Sequence, residues 1–127
     1  MTTASLGNTF AVCATFASFF QLALVCGAPW GRLTLGGKYP DRLPVRLRFV
    51  AAFSAVLLAV FALVVEVRAG VIGAPWQALS RNLIWVVVAY CALGTLANAI
   101  TPSKWERVLW LPVVLVLLIT SLRVAVS

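Results

Sequence analysis

Three polar side chains inside long apolar runs are the residues best placed to do chemistry in this sequence. Gln21 and Asn98 are carboxamides late in their runs, and Glu66 is a carboxylate at the end of another. Polar groups are costly inside a membrane, so they commonly mark a pathway or a binding site. Gln21, Glu66 and Asn98 are therefore the candidates for an intramembrane polar site. The simpler explanation is structural, with the amides bonding between helices and Glu66 pairing with Arg81 or Arg123.

A second candidate site is basic. The segment GAPWGRLTLGGKYPDRLPVRLR, which follows the first apolar run, carries five cations, and its glycines and prolines indicate a defined path. An anionic lipid headgroup or a small anion could bind to four cations from this segment and the last run: Arg32, Lys38, Arg46 and Arg107. The simpler explanation is that these cations control topology and contact lipid. The segment lacks the Gly-Lys-Ser/Thr ending of a phosphate loop, so nucleotide binding is not predicted.

Neither a metal site, a cofactor nor a catalytic centre is predicted. The chain has no histidine, which removes the commonest zinc ligand and the usual haem ligand. Cys13, Cys26 and Cys91 lack the spacing of a metal site or a disulfide framework. Glu106 follows Ser103 by three residues, which predicts a capping box in which each side chain accepts a backbone hydrogen bond. With no nucleophile and base in view, we expect a protein that is not an enzyme.

The composition predicts that lipid surrounds most of the chain. Of the 127 residues, 63% are hydrophobic and only 10% are charged, whereas soluble domains carry about 25% charged residues. A soluble fold of this size leaves too much of its surface in water to hide so much apolar area. These values exclude a disordered chain, a disulfide-stapled module and a nucleic-acid-binding domain. The net charge of +7 is therefore assigned to contact with anionic phospholipids.

The apolar runs predict an all-α fold, a transmembrane four-helix bundle that forms a single integral membrane domain. A spanning helix needs about 20 apolar residues, and four runs qualify: about 9–28, 46–66, 83–100 and 105–124. Gly27 and Pro29 end the first run, and Pro112 should bend the last helix without ending it. The N-terminus lacks the basic region of a signal peptide, so the first run is expected to remain as a helix.

Basic residues also predict how the bundle lies in the membrane. Seven of the ten lie in or beside the first and third connections, and three lie on the opposite side. The positive-inside rule then places these two connections in the cytoplasm and both termini outside. Ala51, Ala55 and Ala59 recur every four residues, and Ser18 and Gly94 offer further small positions. Such spacing lets helices approach closely, which predicts a compact bundle or a dimer.

Two motifs resemble those of a group of small bacterial four-helix integral membrane proteins. The group shows a GAP-x-G-x(4)-GG-x-x-P-x-x-LP-x(3)-R pattern and a later TPS-x-x-ER-x-x-W-x-P pattern. The first falls here on residues 27–48 and the second on residues 101–112, with Asp41 standing where the group has glycine. The resemblance implies a protein of the bacterial inner (cytoplasmic) membrane in which both motifs meet at the cytoplasmic face. It implies no particular activity.

These observations favour a non-enzymatic membrane component that binds anionic phospholipid or a membrane protein partner through a basic cytoplasmic face. The alternative is a small oligomeric transporter or channel, with a pathway near Gln21, Asn98 and Glu66. A homo-oligomer is expected most strongly under the second hypothesis, because a pathway between subunits requires one. No nucleic acid partner is expected under either.

Overall fold

The computed structural model describes all 127 residues and contains four long α-helices. Their bounds are α1 Thr3–Val25, α2 Val45–Arg68, α3 Gln77–Ile100 and α4 Lys104–Ala125. Each is long and apolar enough to cross a membrane. The prediction of an all-α four-helix bundle is confirmed, and the four helices support a multi-pass membrane protein.

The connections between the helices differ greatly in length. The first, residues 26–44, contains two short 3-10 turns at Gly31–Leu33 and Leu35–Gly37. The second covers residues 69–76, and the third is a tight turn of residues 101–103. We call the end of the bundle that carries the first and third connections the basic end. The end that carries the second connection and both termini is the terminal end.

Two helices extend beyond the apolar runs from which they were predicted. α1 begins at Thr3 rather than near residue 9, because the Thr2 hydroxyl caps it by accepting a hydrogen bond from the Ser5 amide at 3.0 Å. α3 begins at Gln77, six residues before the predicted start. A prediction from hydropathy omits these first turns because they are polar. The start of a helix is instead set by its backbone hydrogen bonds and its capping residues.

Other helix ends follow the sequence more closely. α1 ends at Val25, just before Gly27, whose φ of +91° is a conformation that glycine adopts without strain. α4 continues through Pro112 without interruption, so this proline does not end the helix, and the bend at this residue stays a prediction. The helix therefore tolerates the missing amide donor, as transmembrane helices commonly do.

The helices form a ring in which α1 packs on α2 and α4, and α3 packs on the same two neighbours. Small residues allow the α1–α2 contact: Ala51 and Ala55 are buried, and the Ser18 hydroxyl donates to the Ala55 carbonyl at 2.9 Å. Ala59 is exposed and Leu58 is buried in its place. The reason is that an α-helix has slightly fewer than four residues per turn, so a repeat of four gradually moves away from the buried face. The predicted alanine stripe is thus correct for its first two members.

The core is continuous in the terminal half of the bundle and incomplete in the basic half. In the terminal half, all four helices contribute to one buried cluster. The cluster in the basic half contains residues of α1, α2 and α4 with Leu43 of the first connection, but none of α3. The buried residues of α3 end at Cys91. Beyond that residue, Gly94 and Asn98 of α3 line a cavity rather than a packed core.

Candidate functional site

The first connection forms a closed loop at the basic end. The Gly31 amide donates to the Asp41 carbonyl at 2.8 Å, and the Arg32 amide donates to the Pro40 carbonyl at 3.2 Å. A side chain at position 31 would overlap the carbonyl oxygens of Tyr39 and Asp41. Only glycine therefore allows the two arms of the loop to approach this closely.

This loop packs against the turn between α3 and α4. The Ser103 hydroxyl donates to the Arg32 carbonyl at 2.8 Å and accepts from the Glu106 amide at 3.2 Å, which caps α4. A Cβ atom at Gly37 would lie 3.2 Å from the Ser103 side chain, and one at Gly36 would lie 3.5 Å from Pro102. The two sequence motifs therefore meet in the folded chain.

Two of the predicted basic residues share one aromatic side chain. Arg46 Nη2 donates to the Tyr39 hydroxyl at 3.2 Å, and Lys38 Nζ lies 5.7 Å from the centroid of the Tyr39 ring. Both cations are exposed. We call Lys38, Tyr39 and Arg46 the tyrosine patch. Both cations therefore contact the same tyrosine side chain and remain exposed to a ligand.

The other two members of the predicted anion site do not join the tyrosine patch. The Arg32 guanidinium lies 6.0 Å from the centroid of the Trp105 ring, at the outer limit of a cation–π contact. Arg107 is partly buried, and its Nη1 donates to the Thr101 carbonyl at 2.9 Å. Arg107 thus stabilises the α3–α4 turn, and a single anion site formed by all four cations stays a prediction.

A cavity of about 170 Å³ lies among the four helices in the basic half. It occupies the place where α3 leaves the core incomplete. Its polar lining comes from all parts of the basic half except α2: Gln21, Thr34, Tyr90, Cys91, Asn98 and Glu106. The structure therefore brings together Gln21 and Asn98, two of the three residues predicted for an intramembrane polar site.

Glu66 is the member of that set that lies elsewhere. The α2 residue at the cavity is Leu58, and Glu66 follows eight residues later, about 12 Å farther along the helix. Its carboxylate receives hydrogen bonds from the Asn8 amide nitrogen at 2.9 and 3.2 Å, with the amide in the orientation that satisfies both groups. The partner is thus an amide of α1 rather than the expected Arg81 or Arg123. The structure therefore does not bring Glu66 together with Gln21 and Asn98.

Glu106 is the cavity residue that the sequence analysis assigned to another role. Its Oε2 accepts a hydrogen bond from the Gly36 amide at 3.5 Å, and no lysine or arginine donates to it. Only half of the predicted capping box forms, because the Ser103 amide donates to the Thr101 hydroxyl instead. The sequence did offer one signal for a functional role of Glu106, which is that it is one of only three acidic residues in the chain.

Gly94 and Asn98 keep the α3 side of the cavity open and polar. Gly94 was predicted to allow close helix packing. A Cβ atom at this position would meet nothing within 4 Å, so the glycine widens the cavity instead. Asn98 Nδ2 donates to the Gly94 carbonyl at 2.7 Å. The Oδ1 atom is then the part of this amide that remains to accept from another group.

Aromatic rings form much of the apolar wall. Phe20 and Trp110 meet edge to face with their ring centroids 4.7 Å apart, and Tyr90 lies in the α3 wall.

Comparison of the chain with protein-family models, with curated proteins and with solved structures finds no match.

Proposed function

We propose that this chain is a non-enzymatic membrane protein that binds anionic phospholipid headgroups through its basic end. The observation that carries the proposal is the tyrosine patch, in which two exposed cations are held on one phenol. A cation near an anionic bilayer surface contributes about 1 kcal/mol to binding. Two exposed cations that contact the same side chain support a specific headgroup contact, as opposed to charge that serves only to control topology.

The surroundings of the patch support a position at the depth of lipid headgroups. Trp30 and Trp105 are both exposed at the basic end, and tryptophan is enriched at membrane–water interfaces. An apolar groove beside them is lined by Phe16, Phe19, Phe20, Ala23, Trp30 and Leu33. A lipid with its headgroup near the basic end would lie with its acyl chains along such a surface.

The proposal also includes a location. Seven of the ten basic residues lie at the basic end, which favours a cytoplasmic position for that end and an outside position for both termini. The two motifs, and their contact through Ser103 and Gly37, support membership in the group of small bacterial inner-membrane proteins that the sequence resembles.

A second candidate function is a small transporter or channel. The observation that favours it is the cavity that Gln21 and Asn98 share with Glu106 inside the bundle. The cavity is small for a continuous pathway, so this function requires either a second conformation or a homo-oligomer. A partner protein bound at the basic end remains compatible with either function.

The lipid proposal is tested by tryptophan quenching in reconstituted vesicles. Trp76 and Trp85 are changed to phenylalanine, so that the remaining tryptophans report on the basic end. Brominated phosphatidylglycerol should then quench more strongly than brominated phosphatidylcholine at equal mole fraction. Changing Lys38 and Arg46 together to glutamine should lower the relative binding constant for phosphatidylglycerol by about 30-fold, since each cation contributes about 1 kcal/mol.

The matched control removes the same charge from the terminal end. Arg81 and Arg123 are both exposed, and changing both to glutamine should leave the preference for phosphatidylglycerol unchanged. Equal quenching by the two lipids in the unaltered protein would contradict the proposal. An equal loss in both double variants would show that net charge, rather than the tyrosine patch, attracts the lipid.

A further inference from the structure

The cavity combines a carboxylate with aromatic walls. The Glu106 carboxylate receives a single backbone hydrogen bond, and its neighbour Arg107 directs its guanidinium to the Thr101 carbonyl instead. Glu106 is partly buried, and a partly buried carboxylate is stabilised by hydrogen-bond donors or by a positive charge. The cavity therefore offers a negative group with capacity for further donors.

The remaining lining suits a cation with an apolar body. The side-chain oxygens of Gln21 and Asn98 are acceptors. The rings of Phe20, Tyr90 and Trp110 line the same cavity from three different helices. Aromatic faces attract ammonium groups, most strongly where water is excluded. Glu106 is the only charged residue in the lining, so a small anion would be repelled by its carboxylate and is disfavoured here.

The size of the cavity limits the ligand further. Its volume is about 170 Å³, and an apolar cavity of about 150 Å³ in another protein is large enough to bind benzene. One six-membered ring or an equivalent alkyl group therefore fits beside a charged nitrogen. A phospholipid headgroup with its glycerol is too large for this space.

We propose that the cavity binds a small organic ammonium ion with an apolar body, with its nitrogen at the Glu106 carboxylate. The apolar body lies against Phe20, Tyr90 and Trp110, and Asn98 Oδ1 accepts a second hydrogen bond from the nitrogen. The lining holds no lysine or arginine, so the ligand's cation has no competitor of the same charge within the cavity. This site is independent of the proposed lipid function, which uses other residues and a ligand of opposite charge.

The test is isothermal titration calorimetry of the full chain in detergent, with benzylammonium as the probe and a micelle blank. Benzyl alcohol has a similar shape but no charge, so we expect it to bind at least about tenfold more weakly, because charge-assisted hydrogen bonds are the stronger ones. Glu106→Gln should weaken benzylammonium binding by about tenfold or more. Its amide oxygen can still accept from Gly36, which preserves the fold. Glu66→Gln makes the same change outside the cavity and should alter binding by less than about twofold.

A second variant tests the position of the site without changing any charge. Gly94→Leu should fill the cavity and weaken benzylammonium binding by about tenfold or more, because a leucine side chain occupies the space of the ligand body. Four results would overturn the proposal: no binding above the micelle blank, equal binding of the alcohol, equal effects of the two glutamate variants, or unaltered binding in Gly94→Leu. Loss of lipid preference in the tyrosine patch variant leaves these outcomes unaffected, so the two proposals fail separately.

Discussion

Gly31→Ala should lower the free energy of unfolding by about 3 kcal/mol and open the first connection. The added Cβ atom overlaps the Tyr39 and Asp41 carbonyl oxygens, and overpacking of this kind costs about 1–3 kcal/mol. The overlap involves backbone rather than a flexible side chain, so the arms of the loop must separate. The hydrogen bonds from the Gly31 and Arg32 amides then weaken, at about 1 kcal/mol each.

The measurement is equilibrium unfolding in mixed detergent micelles, with limited trypsin digestion at Lys38 as a local readout. Gly94→Ala is the matched control, because it makes the same chemical change where a Cβ atom meets nothing within 4 Å. Alanine in a helix is favoured over glycine by about 0.5–1 kcal/mol, so this control should be slightly more stable than the original protein. Equal stability and equal digestion of the two variants would contradict the loop geometry described for Gly31.

Thiol labelling in intact cells should give an all-or-none pattern if the basic end is cytoplasmic. A membrane-impermeant reagent should label Thr3→Cys at the start of α1, because the proposed orientation puts that end outside. Cys26 is exposed at the basic end, and it should react only after the cells are opened. The physical reason is the excess of cations at the basic end, which resists transfer across the membrane.

The labelling experiment requires a background without other reactive thiols. Thr3→Cys is therefore placed in a Cys26→Ala chain, while Cys91 is buried within α3 and Cys13 is partly buried within α1. Labelling of Cys26 in intact cells, together with protection of Thr3→Cys, would reverse the proposed orientation. Partial labelling of both positions would contradict a single orientation and would indicate mixed insertion.

The four spans could be predicted because length and hydropathy are sufficient to identify them. The ends of the helices could not, since they depend on backbone hydrogen bonds that hydropathy does not describe. Thr2 extends α1 by capping it, and Gln77 begins a helix whose first turns are polar. The meeting of the two motifs could be expected from the even number of spans between them, whereas the contacts of Gly31 and Gly37 required the folded loop.

Part of the candidate site could be predicted, because the position of a residue in its span and the direction of that span indicate its depth. Gln21 and Asn98 lie late in helices that run in the same direction, which brings them to one depth. Glu106 was not predicted as a cavity residue, because its spacing from Ser103 matches a helix capping box. The sequence does not show which backbone amide donates to its carboxylate. Glu66 lies late in a helix that runs in the opposite direction, so its position in the sequence already indicates the terminal end rather than the cavity. The sequence does not show that Asn8 is its partner. Arg107 was counted as a free cation, although it bonds to a carbonyl of its own turn.

Native mass spectrometry of the protein released from a mild detergent tests the central claim most directly. The protein is first equilibrated with equal amounts of phosphatidylglycerol and phosphatidylcholine. We predict that phosphatidylglycerol remains bound to the original chain and to the Arg81 and Arg123 double variant, and that it is lost when Lys38 and Arg46 are both changed to glutamine. Equal retention of the two lipids, or retention of phosphatidylglycerol by the Lys38 and Arg46 variant, would contradict a lipid site at the tyrosine patch.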